Sequence, residues 1–79
     1  MTNKRELKVL HQYKEDGWQA VRCGAPDFLF FKDDKDGNIT NVKFVEVKSP
    51  TDKLKMEQLI WRKVLVNFLK ADYEVKIVD

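Results

Sequence analysis

A single cysteine, Cys23, stands in 79 residues, so no disulfide can close within the chain. Small secreted domains lean on such staples, and their lack points to a reducing, cytoplasmic compartment. Histidine is also down to one, His11, which leaves no imidazole or thiolate pair at zinc-ligand spacing. Two prolines and three glycines exclude collagen-like and Pro- or Gly-rich chains. No apolar run approaches the roughly 20 residues of a spanning helix, so no membrane partner is expected. Residues 1–6 lead into an amphipathic stretch, not the apolar core of a signal segment. Charge of one sign is missing too: 15 Lys and Arg against 13 Asp and Glu give +2, which announces no nucleic-acid surface on composition alone. What remains is one small domain, residues 1–79, without repeats or linkers. A chain of this length buries only about 60% of its unfolded surface, so the core is thin and a second copy can belong to its stability.

The elements follow in a clear order. Asn3 with Glu6 makes a capping-box pattern, Leu7, Leu10 and Lys14 continue it at helical spacing, and Gly17 fits the left-handed position past the end. Residues 18–23 read as a strand bounded by Gly24-Ala25-Pro26, and residues 27–32 as a second, apolar on both alternations and so covered on both faces. Asp36-Gly37 is a strong hairpin signal. Residues 41–48 make a third strand, ended by Ser49-Pro50-Thr51-Asp52. Residues 53–71, without Gly or Pro, predict one long helix, and residues 73–78 a fourth strand. The order αβββαβ predicts an α/β fold with a four-stranded mixed sheet flanked by helices. Its first three strands form an antiparallel meander, and its last lies parallel after a right-handed crossover.

Hairpin register then brings chemistry together. With Asp36-Gly37 as the two central turn residues, Lys35 pairs with Asn38 and paired numbers add to 73. Phe31 faces Val42, Leu29 faces Phe44, and Asp27 lies opposite Glu46. Lys48 shares the Glu46 face, because side chains two apart point the same way. One face therefore carries Leu29, Phe31, Val42 and Phe44 and ends in Asp27, Glu46 and Lys48. Two carboxylates across a ladder repel and raise one another's pKa, a penalty that a bridging divalent cation removes. Hard oxygen ligands favour Mg²⁺ or Mn²⁺, which accept phosphate oxygens as further ligands. Lys48 beside them can orient or deprotonate a water, which points to metal-assisted phosphodiester hydrolysis. Taken singly, a Pro-Asp turn and a Glu-x-Lys ion pair are ordinary surface features; the signal is their conjunction.

Gly24-Ala25-Pro26-Asp27, eighteen residues, then Glu46-Val47-Lys48 resembles the PD-(D/E)xK nuclease signature. From Glu6 to Val78 the chain is similar to a standalone VRR-NUC (virus-type replication-repair nuclease) domain. The resemblance implies a restriction-endonuclease-like core in which Asp27, Glu46 and the Val47 backbone carbonyl ligate Mg²⁺ or Mn²⁺ and Lys48 positions the attacking water. It matches Glu6 to an acidic residue that completes the metal site, a role that competes with simple helix capping. Gln58 matches a glutamine that supports the active site or approaches DNA. The resemblance further implies a structure-selective endonuclease acting on branched DNA such as four-way (Holliday) junctions, in a bacterial or phage-infected host cell, with no small-molecule cofactor. The ends left would be 5′-phosphate and 3′-hydroxyl. Alternatives are a non-catalytic nucleic-acid-binding or assembly module of the same fold, or a flap- or restriction-type nuclease. Where many members have a longer Gly- and Arg-rich stretch before Pro-Asp, only Cys23-Gly24-Ala25 stand here.

The long helix places Ile60, Trp61, Val64, Leu65, Phe68 and Leu69 on one broad arc, enough to cover a sheet. Met56, Leu59 and Val66 fall at or beyond its edge, so a homodimer through this helix is expected. Lys53, Lys55, Arg22 and the group Lys4, Arg5 and Lys8 are candidate phosphate contacts. His11 reads as a surface residue and Cys23 as packing. Trp18, Trp61, Phe28, Phe30 and Phe31 read as core or interface.

Overall fold

The computed structural model describes residues 3–24 and 26–79; Ala25, within the segment before Pro26-Asp27, lies outside the described residues, as do the first two. Helix α1 (Lys4–Glu15) starts where Asn3 Oδ1 accepts the Glu6 N–H at 2.8 Å. It stops at Gly17 (φ +88°), with the Gly17 N–H on Lys14 O and the Trp18 N–H on Tyr13 O, the two bonds of a Schellman motif. Its buried residues, Val9 and Tyr13, are four apart and form the core with Phe28, Phe30 and Val45. Tyr13 stacks on Phe30 with ring centroids 4.1 Å apart. Phe28 and Phe30 are fully buried, which stabilises by roughly 2–3 kcal/mol each.

Strands β1 (Gln19–Arg22), β2 (Phe28–Asp33), β3 (Ile39–Lys48) and β4 (Asp72–Ile77) stand in that spatial order. The first three are antiparallel neighbours and β4 runs parallel to β3, the mixed sheet expected. The hairpin differs from its expected form. Asp34 and Asn38 close a three-residue loop, with Asp34 N–H on Asn38 O, Gly37 N–H on Asp34 O and Gly37 at φ +86°. Asp34 Oδ1 ties it further by accepting from Asp36 and Asn38 N–H. Lys35 and Asn38 are therefore not partners. The loop is one residue longer than read, and a bulge between Lys32 and Asp33 takes up the difference at Thr40. From Lys32·Asn41 inward the register is the expected one, with Phe31 on Val42 and Leu29 on Phe44.

The second helical segment departs more. Residues 53–55 are not helical, with Lys55 extended; α2 spans Met56–Lys63, and a π-helical turn covers Val64–Phe68. The chain leaves it at Lys70, which has φ +56°. The apolar arc does not cover the sheet as expected: Leu65 is buried, whereas Ile60, Trp61, Val64, Phe68 and Leu69 are exposed. A π turn advances fewer degrees per residue than an α turn, so the stripe loses its phase after one turn. One sheet face thus lies under α1, and the other, carrying Leu29, Phe31, Phe44 and Glu46 by strand alternation, is only partly closed.

Candidate functional site

Glu46, near the end of β3, is 2% exposed. Asp27 sits one residue before β2, at the edge of β3 that β2 no longer occupies. The two are interlocked through backbone: Asp27 N–H donates to Glu46 Oε2 at 3.1 Å, and Val47 N–H donates to Asp27 Oδ2 at 2.8 Å. Cys23 N–H donates to Asp27 O at 3.1 Å and holds the loop from the other side. Lys48 Nζ lies 3.8 Å from Glu46 Oε1, with its side chain largely covered. The structure thus brings Asp27, Glu46 and Lys48 close, but not as the ladder pair expected: the β2–β3 ladder ends at Phe28 on Val45, and Asp27 is held against Glu46 by side-chain-to-backbone bonds instead.

Gln58 joins them from α2. Its Oε1 accepts the Lys55 N–H at 2.8 Å, which fixes the start of the helix, and its Nε2 donates to Glu46 Oε1. One side chain therefore caps α2 and clamps the carboxylate. Glu6 makes no hydrogen bond to this group among the described residues: its Oε1 is 4.0 Å from Arg22 Nη2, and its charge acts on Glu46 through space. Among the described residues, no group of three His, Cys, Asp or Glu side chains gathers as a ligand set.

Burial first, and then the like charge of Asp27, push the Glu46 carboxyl above the ordinary carboxylate range; Glu6 adds to this, while the Asp27 N–H and Lys48 oppose it. The donor set fits a hard divalent cation. Two carboxylates meet, and Asp27 Oδ1 carries no hydrogen bond among the described residues. In an extended strand a residue's N–H and C=O point to the same edge, so the Val47 carbonyl turns toward Asp27 as its N–H does.

Sequence reasoning missed two features here. Ser49 and Asp52 close a tight turn after Lys48, with Ser49 N–H on Asp52 Oδ2 and Asp52 N–H on Ser49 O, both at 3.2 Å. Their spacing, Ser49-x-x-Asp52, was the available signal. Tyr73 on β4 pairs with Phe44, so it stands on the Glu46 face. Burial, then the charges of Glu46 and Asp27, raise its phenol pKa, while Arg62 acts in the opposite sense. Cys23, expected to pack, is exposed, and so are His11 and Trp61. Trp18 and Phe31 are half-buried. Lys53, Lys55, Arg22, Lys4, Arg5 and Lys8 are all exposed. Arg5 Nε also donates to Val78 O, tying α1 to the chain after β4.

A cleft of about 490 Å³, lined by Tyr13, Trp18, Lys43, Glu74 and Lys76 among others, opens beside α1. Lys43, Glu74 and Lys76 alternate with the residues of the Glu46 face, so the cleft lies across the sheet from the carboxylates.

The family model of the VRR-NUC domain matches residues 2–79. No curated protein matches the chain, and neither does any solved structure. The chain therefore belongs to the VRR-NUC domain family, a family of nucleases, and no described helix is long and apolar enough to cross a membrane.

Proposed function

We propose that this member of the VRR-NUC family is a divalent-metal-dependent endonuclease that hydrolyses phosphodiester bonds in branched DNA, four-way junctions foremost. The observation that carries the proposal is the reciprocal lock of Asp27 and Glu46 beside Lys48. A purely structural sheet end has no use for two carboxylates held against one another, one of them buried.

In this reading Asp27, Glu46 and the Val47 carbonyl hold Mg²⁺ or Mn²⁺, with Glu6 as an outer carboxylate. Bound there, the metal supplies a Lewis acid for the phosphoryl oxygens and lowers the pKa of water. Gln58 keeps Glu46 aimed while its charge is shared. The Lys48 ammonium orients the attacking water and stabilises charge growing on the phosphate. Water oxygen bonds to phosphorus as one of its protons passes to solvent, the bond to O3′ breaks with its electron pair on O3′, which takes up a proton, and 3′-hydroxyl and 5′-phosphate ends remain.

Exposed Ile60, Trp61, Val64, Phe68 and Leu69 support a homodimer through α2 and the π turn. Two symmetric sites then suit two symmetric strands of a junction.

The test is incubation with labelled four-way junction, flap and plain duplex in Mg²⁺, Mn²⁺ or chelator. Cutting is expected with metal, strongest on the junction, and a loss of at least about 100-fold in Lys48→Ala and Asp27→Ala. Cleavage that survives both substitutions would overturn the assignment.

A further inference from the structure

Among the described residues, a phenol on the Glu46 face of the sheet and a guanidinium on α2 whose charge acts on it have no hydrogen-bond or ion-pair partner. Tyr73 is half-buried on β4, and its hydroxyl makes no hydrogen bond among the described residues. It stands on the sheet face of Phe44 and Glu46, one β4 step from Val75, which pairs with Glu46. Arg62 is exposed and, among the described residues, paired with no carboxylate. It lies one turn beyond Gln58, the residue whose amide reaches Glu46, and one turn before buried Leu65. Within α2, residues four apart share a helix face, so Arg62 follows Gln58 along the helix, and its charge acts on the Tyr73 phenol.

We infer that Tyr73 and Arg62 grip the phosphodiester that enters the Asp27/Glu46 site, the phenol donating to a non-bridging oxygen and the guanidinium pairing with its charge. This rests on the nuclease reading and adds the substrate contacts that the signature residues lack. Asp27 and Glu46 repel a bare phosphate, so a site made of them requires donors nearby. A phenol supplies a donor without a counter-charge. A guanidinium matches phosphate geometry with two parallel N–H groups. Flanking the carboxylates from β4 and α2, the pair would hold the phosphate on the side away from β2 and leave the Asp27 edge to the metal.

Two measurements on the full chain test this. In the first, anisotropy of a labelled four-way junction is followed against salt in chelator. Arg62→Ala is expected to lower the slope of log affinity on log salt by about 0.9, one phosphate contact, and Arg62→Lys to restore it. In the second, single-turnover cleavage is followed at saturating junction. Tyr73→Phe, which keeps the ring, is expected to slow cutting about tenfold or more with an unchanged salt slope and circular dichroism spectrum. If both variants keep the wild-type slope and rate, the inference falls while the nuclease reading stands. If the wild type binds but cuts nothing, the nuclease reading falls and the Arg62 slope alone decides the phosphate grip. If the wild type neither binds in chelator nor cuts with metal, both fall; if it cuts with metal but does not bind in chelator, the single-turnover rates of Tyr73→Phe and Arg62→Ala decide the grip.

Discussion

Burying Glu46 beside Asp27 costs free energy that the fold alone does not require. The cost has a pH signature. Burial and Asp27 raise the Glu46 pKa in the folded state, so between its unfolded and folded values the native chain binds the extra proton. Stability of the metal-free protein must therefore fall as pH rises from the ordinary carboxylate range through that raised value. The informative substitution is Asp27→Asn. Its amide oxygen can still accept from Val47 N–H, and the like charge is gone. Glu46→Gln is less clean, since its two oxygens face two donors, Asp27 N–H and the Gln58 amide, and one would then meet an NH₂. Without metal, Asp27→Asn is expected to be more stable than wild type at neutral pH by about 1 kcal/mol, several degrees in melting midpoint for a domain of this size. The gain should vanish in acid, where Glu46 is protonated. Melting curves across pH check both, and a less stable Asp27→Asn at pH 7 would refute the strain.

Elements end where backbone chemistry lets them, and the close of the second helical segment is the poor case. Lys70 holds φ +56°, a conformation that a side chain with a Cβ resists by about 1 kcal/mol. Lys70→Gly is expected to raise the urea midpoint by an amount equivalent to roughly 0.5–1 kcal/mol, the relieved strain exceeding the added freedom of the unfolded chain. A lowered midpoint would show that the lysine side chain itself is needed there. The same residue explains what the sequence hid. Gly17 marks the end of α1 legibly, but Lys70 carries no stop signal, and a π turn leaves no periodicity of its own in five residues. The helix start was hidden because the cap is Gln58, reaching back from inside the helix, and not a residue before it. The hairpin shows the reverse case. Its loop was misread by one residue, yet the bulge at Thr40 returned the register, so Asp27, Glu46 and Lys48 stayed legible from local pairing. Tyr73 was not, because its face depends on a parallel register set across a whole helical crossover.

At the scale of the molecule, one face of the sheet is served by α1 and the other is left short of cover. Phe68 is 81% exposed and Ile60 54%, in a chain of 9.4 kDa that has little else to shelter them. Sedimentation equilibrium at micromolar concentration is expected to give twice the chain mass, and Phe68→Glu to give the single chain with its circular dichroism spectrum intact. A wild type found only at the chain mass would remove the dimer. The central claim, that Asp27 and Glu46 form a metal site, is tested most directly by the melting midpoint with and without Mn²⁺. Metal that binds only the folded state raises the midpoint, by about 2.7 kcal/mol of added stability at a hundredfold excess over its dissociation constant. The account predicts a clear rise for wild type and almost none for Asp27→Asn. Equal shifts in the two proteins, or none in wild type, would contradict it.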